Sequence, residues 1–261
     1  MLPRILYDTI LPASIITASG TYSGYDVDNV WDYQSYSKWR ADSTLSPYIQ
    51  IEAPSSKSPN MIGIFNHNFD EIGGTIKLQY YNGSSYSDLA TISVNGGLPI
   101  LQSFTAHAAT KFRLQFTSPT DYPELAILFL GVYTEFPYPP DAPMSPNEEG
   151  INAKIEISEG GHNLPSLISY FPRTVNLNFS NITRTWFDTY YAPFWDNYAK
   201  YLLPFFFAED LDNLGSDIDF GVLNPSLTKK KVLSALSIND SLPFQMQCVS
   251  TDQNYIPLSE S

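Results

Sequence analysis

The segment 75–83 reads TIKLQYYNG and decides the fold class of the first half of the chain. Apolar and polar residues alternate from Thr75 to Tyr81, which is the period of a strand with one buried face. The strand runs directly into Asn82-Gly83, a strong signal for a β-hairpin turn. The segment therefore predicts neighbouring strands of an antiparallel sheet.

Short strand signals recur on both sides of this segment, with turn residues between them. They are the alternating segments 47–52 and 111–116, the continuous apolar runs 61–65 and 124–131, and the segment 89–94. No convincing helix separates these strands. The series predicts a mainly β fold that begins with an antiparallel jelly-roll β-sandwich.

A proline-rich segment divides the chain. Four prolines fall between positions 137 and 143, and such a run favours extended backbone over helix. A chain of 261 residues also fits two domains at about 150 residues each. We therefore predict four parts, which are a sandwich in 1–136, a linker in 137–150, an α+β domain in 151–250 and a C-terminal tail in 251–261.

The second half combines strands with one aromatic helix. Aromatic residues recur at three- and four-residue intervals between 186 and 198, which predicts a helix that Pro193 kinks or restarts. Strand signals before and after it lie at 153–158, 173–180, 204–208, 217–223, 229–236 and 243–249. This order predicts a smaller α+β domain of the split-barrel type.

Composition excludes several classes of function. The net charge is −13, from 14 basic and 27 acidic residues, which argues against non-specific binding to nucleic acid or to anionic membranes. No apolar stretch is long enough for a transmembrane helix, and the start does not read as a signal peptide. The lone Cys248 excludes an internal disulfide and fits a reducing compartment. Enzyme and cofactor motifs are missing from the sequence, so we expect neither catalysis nor a cofactor.

The first half resembles the galactose-binding-like (discoidin-like) β-sandwich. The resemblance rests on Asp26–Asp32, Trp39-Arg40-Ala41, Tyr48-Ile49-Gln50-Ile51, 64–69 and Phe129-Leu130-Gly131. It implies a sandwich whose loops at one end bind sugars, or one reused as a structural module in virions.

The second half is similar to distal-tail and tail-tube-like proteins of long-tailed bacteriophages. The matching pieces are Leu177-Asn178-Phe179, the helix 185–200, Pro204-Phe205-Phe206-Phe207 and 220–223. The resemblance implies a structural virion protein of the distal tail, baseplate or tail tip, made in the host cytoplasm. It would form a ring with copies of itself and contact other tail proteins. That family places the barrel first, whereas here the sandwich comes first, so the level in the tail stays open.

Candidate sites in the first half follow from aromatic and polar side chains. Trp31, His67 and Asn68 are candidate carbohydrate-binding residues, and the alternative interpretation is that the tryptophan packs on the sandwich and the histidine caps a loop. Asp26, Asp28 and Asp32 offer oxygen ligands for a structural Ca²⁺, and the alternative is a hydrogen-bonded turn.

Candidate interface residues lie mainly on the aromatic helix. A helix that is apolar around most of its circumference is buried on most sides, which predicts a second subunit against it. The predicted interface residues are Trp186, Phe187, Tyr191, Trp195 and Lys230. We therefore predict a phage-tail structural protein that acts by assembly. The alternatives are an adhesion module for a host-surface glycan and a glycan hydrolase, which would need two carboxylates facing each other across a cleft.

Overall fold

The computed structural model describes residues 2–141, 148–149, 152–154, 157, 159, 167–170, 173–209, 218–225, 227 and 242–249. The strands of the first 135 residues are β1 (Arg4–Leu6), β2 (Ile15–Ala18), β3 (Trp39–Arg40), β4 (Tyr48–Lys57), β5 (Met61–His67), β6 (Thr75–Tyr81), β7 (Tyr86–Thr91), β8 (Ile100–Ser103), β9 (Ala109–Thr117), β10 (Glu124–Gly131) and β11 (Thr134–Glu135). The later strands are β12 (Glu148–Glu149), β13 (Asn152–Lys154), β14 (Leu167–Tyr170), β15 (Arg173–Phe179), β16 (Phe205–Ala208), β17 (Ile218–Leu223) and β18 (Leu242–Cys248).

Helical structure in the described part of the chain is short. The α-helices are α1 (Phe69–Ile72), α2 (Arg184–Trp186) and α3 (Ala192–Asn197), and a π-helical turn (Phe187–Tyr191) joins the last two. The 3₁₀ turns are Leu11–Ala13, Val27–Trp31 and Ala199–Tyr201. None of the helices in these residues has the length and apolarity needed to cross a membrane.

Two antiparallel sheets form the sandwich. The five-stranded sheet has the order β2-β4-β9-β6-β7, and the four-stranded sheet has the order β3-β10-β5-β8. Ile49 and Ile51 on β4 pair with Leu114 and Phe112 on β9, and all four side chains are buried in the core between the sheets. The alternation in the sequence thus places one face of each strand in this core. The predicted mainly β class with an antiparallel sandwich is confirmed.

The four-stranded sheet is buried on both of its faces. Ile62 and Ile64 of β5 belong to the sandwich core, whereas Met61 and Phe65 point the other way into a second apolar cluster. That second cluster also contains Phe206, from the later half of the chain. Because both faces are covered, β5 and β10 read as continuous apolar runs in the sequence.

A seven-stranded antiparallel sheet forms the third layer, in the order β11-β1-β16-β17-β18-β15-β12. Strand β1 pairs with β16 on one side and β11 on the other, so the first strand of the chain lies in the sheet of the second half. The described strands of this sheet form an open sheet, with β11 and β12 at its two edges. The four-part domain division stays a prediction.

The aromatic helical stretch covers the far face of the seven-stranded sheet. Thr183 caps its start by accepting a hydrogen bond from the backbone N–H of Trp186 at 3.3 Å. Pro193 lies in the first turn of α3, which follows the π-helical turn without a break in the helical backbone. The helix therefore does not restart at Pro193, and a kink there stays a prediction. Phe205 and Phe207 face this helix, whereas Phe206 between them faces the sandwich.

Some predicted segments lie outside the described residues. These are the strand at 229–236, the tail 251–261 and most of the proline-rich linker.

Candidate functional site

The three aspartates proposed to bind calcium each bond to nearby groups of the same loop. Asp26 caps the turn Val27–Trp31 by accepting the backbone N–H of Asp28 at 3.3 Å. Asp32 accepts the backbone N–H of Gln34 at 2.7 Å. The described residues contain no group of three acidic, histidine or cysteine side chains placed to hold a metal ion. The structure therefore does not bring the three carboxylates together, and the loop has the form of the hydrogen-bonded turn.

Trp31 lies at the side of the sandwich core. Its ring is half-buried and packs on the core, and its indole N–H points to Asp28 Oδ1 at 3.4 Å. Trp39 is completely buried, 6.1 Å from Phe116 between ring centroids. Packing accounts for both tryptophans, and a sugar-stacking role for Trp31 stays a prediction.

His67 is buried, and both ring nitrogens already have backbone partners. Nδ1 accepts the N–H of Phe69 at 3.2 Å, so the proton is on Nε2, which donates to the carbonyl of Leu98 at 3.0 Å. Burial lowers the pKa of His67, and the hydrogen bond to Leu98 opposes that shift. A sugar hydroxyl would have to displace one of these bonds. The geometry therefore corresponds to the loop-capping alternative.

Asn68 is a clamp between two segments. Its Nδ2 donates to the carbonyl of Tyr122 at 3.0 Å, and its Oδ1 accepts the backbone N–H of Glu124 at 2.9 Å. Both ends of the amide are thus used within the chain. Asn68 therefore positions Tyr122 and Glu124, and a carbohydrate-binding role for it stays a prediction.

Two of the predicted interface residues lie in the core of their own chain. Phe187 is 3% exposed and Tyr191 is 2% exposed, and both belong to the cluster between the helix and the seven-stranded sheet. Burial also raises the pKa of Tyr191. The rest of the chain covers these side chains, so the helix is aromatic on most sides because it packs inside the chain. This corrects the expectation that a second subunit covers Phe187 and Tyr191.

The other predicted interface residues have different surroundings. Trp186 is half-buried, with its indole N–H donating to the carbonyl of Glu135 at 3.1 Å. Trp195 is also half-buried, against the same core. Lys230 lies outside the described residues. For these three residues an interface stays a prediction.

A cluster that the sequence analysis missed lies at one end of the sandwich. The Arg40 guanidinium carbon lies 5.1 Å from the ring centre of Tyr22, 6.0 Å from Tyr25 and 5.3 Å from Tyr122. These are cation–π distances. We refer to Tyr22, Tyr25 and Tyr122 around Arg40 as the tyrosine cluster. Tyr22 is 48% exposed, so the cluster is open to solvent on one side.

The loop that carries Tyr22 is fixed by close packing and a backbone hydrogen bond. The backbone N–H of Tyr22 donates to the carbonyl of Arg40 at 2.9 Å. A Cβ at Gly20 would meet the carboxylate of Asp42, so a larger residue there would require the Asp42 side chain to move. The N–H of Tyr25 closes a turn onto the carbonyl of Tyr22 at 2.9 Å. The tyrosine cluster is thus preorganised by the fold.

Charged groups border the tyrosine cluster. Glu124 lies 3.2 Å from Arg40 Nε and 3.8 Å from Lys38 Nζ. The pairing of β10 with β3 places Glu124 directly opposite Arg40. The site therefore combines aromatic faces with hydrogen-bond donors and one carboxylate acceptor.

One signal in the sequence points to this cluster. The loop 19–25 reads SGTYSGY, and tyrosine between serine and glycine is typical of binding loops. Arg40 and Tyr122 come from distant positions, and only the folded sheet brings them beside this loop.

No protein-family model and no curated protein sequence matches the chain. Solved carbohydrate-binding modules resemble part of it. A pectin-binding module is 19% identical over 44% of this chain and 88% of its own, with a TM-score of 0.39. The family 32 module of NanJ from C. perfringens, in complex with galactose, is 12% identical over 51% of this chain and 100% of its own, with a TM-score of 0.42. A chitosan-binding module from Paenibacillus sp. IK-5 is 17% identical over 48% of this chain and 98% of its own, with a TM-score of 0.41. The function proposed for the chain rests on its own geometry.

Proposed function

We propose that the sandwich binds a glycan at the tyrosine cluster. The observation that carries this proposal is the set of three tyrosine rings within 6.0 Å of the Arg40 guanidinium at one end of the sandwich, two of them on the preorganised loop 19–25. The proposal is one of binding, without catalysis.

The chemistry of the cluster suits a sugar ring. A pyranose has apolar C–H faces, which pack on aromatic faces, and a rim of hydroxyl groups that donate and accept hydrogen bonds. Tyr22 offers a partly exposed ring, while Lys38 and Glu124 offer a donor and an acceptor beside it. Lys38 and Arg40 share the one carboxylate of Glu124, so the formal charges of these three side chains sum to +1.

A glycan microarray of wild-type protein and two variants tests this proposal. Tyr22→Ala removes the most exposed ring of the cluster, and Tyr138→Ala is the matched control because Tyr138 is 45% exposed and belongs to no part of the cluster. We expect Tyr22→Ala to weaken binding by about tenfold and Tyr138→Ala to leave it unchanged. A wild-type chain that binds no glycan, or equal losses in both variants, would contradict the proposal.

A second proposal is that the chain is a structural subunit of an assembly such as a phage tail, located in the virion. Its support is an exposed apolar edge at the end of the helical stretch, where Tyr201 is 64% exposed and Leu202 is 47% exposed. Tyr190, earlier in the same stretch, is 45% exposed. Exposed aromatic and aliphatic residues favour a protein interface. The solved structures named above include no tail protein.

Analytical ultracentrifugation separates the two proposals. An assembly subunit forms larger species as concentration rises, and Tyr201→Glu reduces them because it places a charge on the exposed edge. A chain that stays monomeric at every concentration contradicts self-assembly and leaves the glycan proposal in place.

A further inference from the structure

We infer that the glycan-binding surface continues from the tyrosine cluster across the outer face of the five-stranded sheet. The ligand class is then an extended, neutral polysaccharide held along its length, rather than a single terminal sugar. This inference rests on the proposed function and deepens it.

The outer sheet face carries a second group of aromatic rings around an arginine. The Arg113 guanidinium carbon lies 4.0 Å from the ring centre of Tyr86 and 5.3 Å from that of Tyr48. We refer to Tyr48 and Tyr86 beside Arg113 as the sheet-face tyrosines. With one face on the guanidinium, the Tyr86 ring directs its opposite face away from the arginine. That opposite face is the surface on which a sugar ring would stack.

Hydrogen bonds hold these rings in place. Arg113 donates to Gln79 Oε1 from Nε at 2.9 Å and from Nη2 at 2.7 Å. The Tyr86 hydroxyl donates to Gln50 Oε1 at 2.6 Å. The side chains therefore lose little conformational freedom when a ligand binds, which favours affinity.

Four of the five charged side chains on this face form two ion pairs, and the Arg113 guanidinium is the fifth, so the formal charges sum to +1. Lys111 pairs with Glu52 at 2.9 Å, and Lys77 pairs with Asp88 at 2.6 Å. The whole chain, in contrast, has a net charge of −13. A single net positive charge attracts a polyanion only weakly, whereas the net charge of the whole chain repels one. Neutral sugars are therefore the favoured ligand.

The two tyrosine groups are joined by two hydrogen bonds between Tyr48 and Ser19. The N–H of Tyr48 donates to Ser19 Oγ at 3.0 Å, and the N–H of Ser19 donates to the carbonyl of Tyr48 at 3.0 Å. Ser19 precedes Tyr22 by three residues, a separation of at most about 10 Å. From β4 to β6 the sheet face adds two strand spacings, about 10 Å. The combined surface is longer than one sugar ring, so it fits a chain of sugars.

Affinity electrophoresis with defined polysaccharides tests this inference. The probes are soluble galactan, xylan and hydroxyethyl cellulose in the gel, with polygalacturonate as the anionic comparison. The sugar whose polymer slows the wild-type protein in the gel is then titrated by calorimetry as its methyl glycoside. The variants are Tyr86→Ala, which removes the ring, and Tyr86→Phe, which keeps the ring and removes only the hydroxyl bond to Gln50.

We expect Tyr86→Ala to weaken binding of the neutral polymer by about tenfold while binding of the methyl glycoside is unchanged. Tyr86→Phe should lose less affinity for the polymer than Tyr86→Ala, because it keeps the stacking ring and loses only the hydrogen bond to Gln50. Tighter binding of polygalacturonate than of neutral polymers would overturn the assignment of ligand class.

Other results overturn the inference in separate ways. If the wild-type chain binds the methyl glycoside as tightly as the polymer, or if Tyr86→Ala binds polymer normally, the sheet face is not part of the site and the proposed function stands. If Tyr86→Ala abolishes self-association in the ultracentrifuge and leaves polymer binding intact, the face is an interface between copies. If no sugar binds at all, the proposed function fails and this inference fails with it.

Discussion

Replacing Gly63 with alanine tests the packing of the sandwich on the seven-stranded sheet. A Cβ at Gly63 would lie 2.7 Å from two ring carbons of Phe206. Carbon atoms in contact normally lie about 3.5–4.0 Å apart, so the ring must move by about 1 Å. Phe206 is fully buried, and its ring centre is 5.3 Å from that of Phe129 and 4.8 Å from that of Phe220. Overpacking at such a site costs about 1–3 kcal/mol.

Thermal and urea unfolding measure this cost. For a chain of this size, each kcal/mol lowers the melting temperature by about 2–4 °C. Gly97→Ala is the matched control, because a Cβ at Gly97 meets no heavy atom within 4 Å. We expect Gly63→Ala to be destabilised and Gly97→Ala to unfold like the wild type. Equal stability of wild type and Gly63→Ala would refute the contact between Gly63 and Phe206, and with it the three-layer packing.

Three further predictions concern individual side chains. Asn68→Ala should lower the free energy of unfolding, measured in urea, by about 1–3 kcal/mol, because two hydrogen bonds are lost and the N–H of Glu124 is left unpaired. Asn68→Asp keeps the acceptor oxygen, so its free energy of unfolding should fall by less. An equal fall in both variants would contradict the role of Asn68 as a clamp. Because burial lowers the pKa of His67 below its ordinary value of 6.5, only the unfolded chain takes up a proton as the pH falls through that value. The free energy of unfolding should then fall by at most about 1.4 kcal/mol per pH unit, and His67→Gln should reduce this slope; an unchanged slope in His67→Gln would count against it. Thr183→Ala should destabilise the chain by about 1 kcal/mol through loss of the cap on the N–H of Trp186, while Thr183→Ser should not, as measured by thermal unfolding.

Local patterns predicted most of the strands. The alternation at 75–81 and the hairpin signal after it correspond to β6, which pairs with β7, because one-sided burial leaves a period of two in the sequence. The apolar run 124–131 predicted β10, yet its place in a layer covered on both faces depends on Phe206 and other residues far along the chain. Non-local packing of this kind leaves no local pattern.

The candidate site was predicted less well than the fold. His67 and Asn68 are polar residues next to each other in a loop, which suits either a ligand site or a structural clasp. Their hydrogen bonds to the carbonyls of Leu98 and Tyr122 give them a structural role, and only the fold reveals those partners. The tyrosine cluster joins three distant parts of the sequence through strand pairing, so no spacing rule could have identified it.

A nuclear magnetic resonance titration shows directly whether the chain binds a glycan at the tyrosine cluster. The isotope-labelled chain is titrated with the sugar selected on the microarray, and the backbone and aromatic signals are followed residue by residue. We predict saturable shifts centred on Tyr22, Tyr25 and Tyr122, with the signals of Tyr190 and Tyr201 unchanged. Saturable shifts centred on Tyr190 and Tyr201, or no shifts at saturating sugar, would contradict the account.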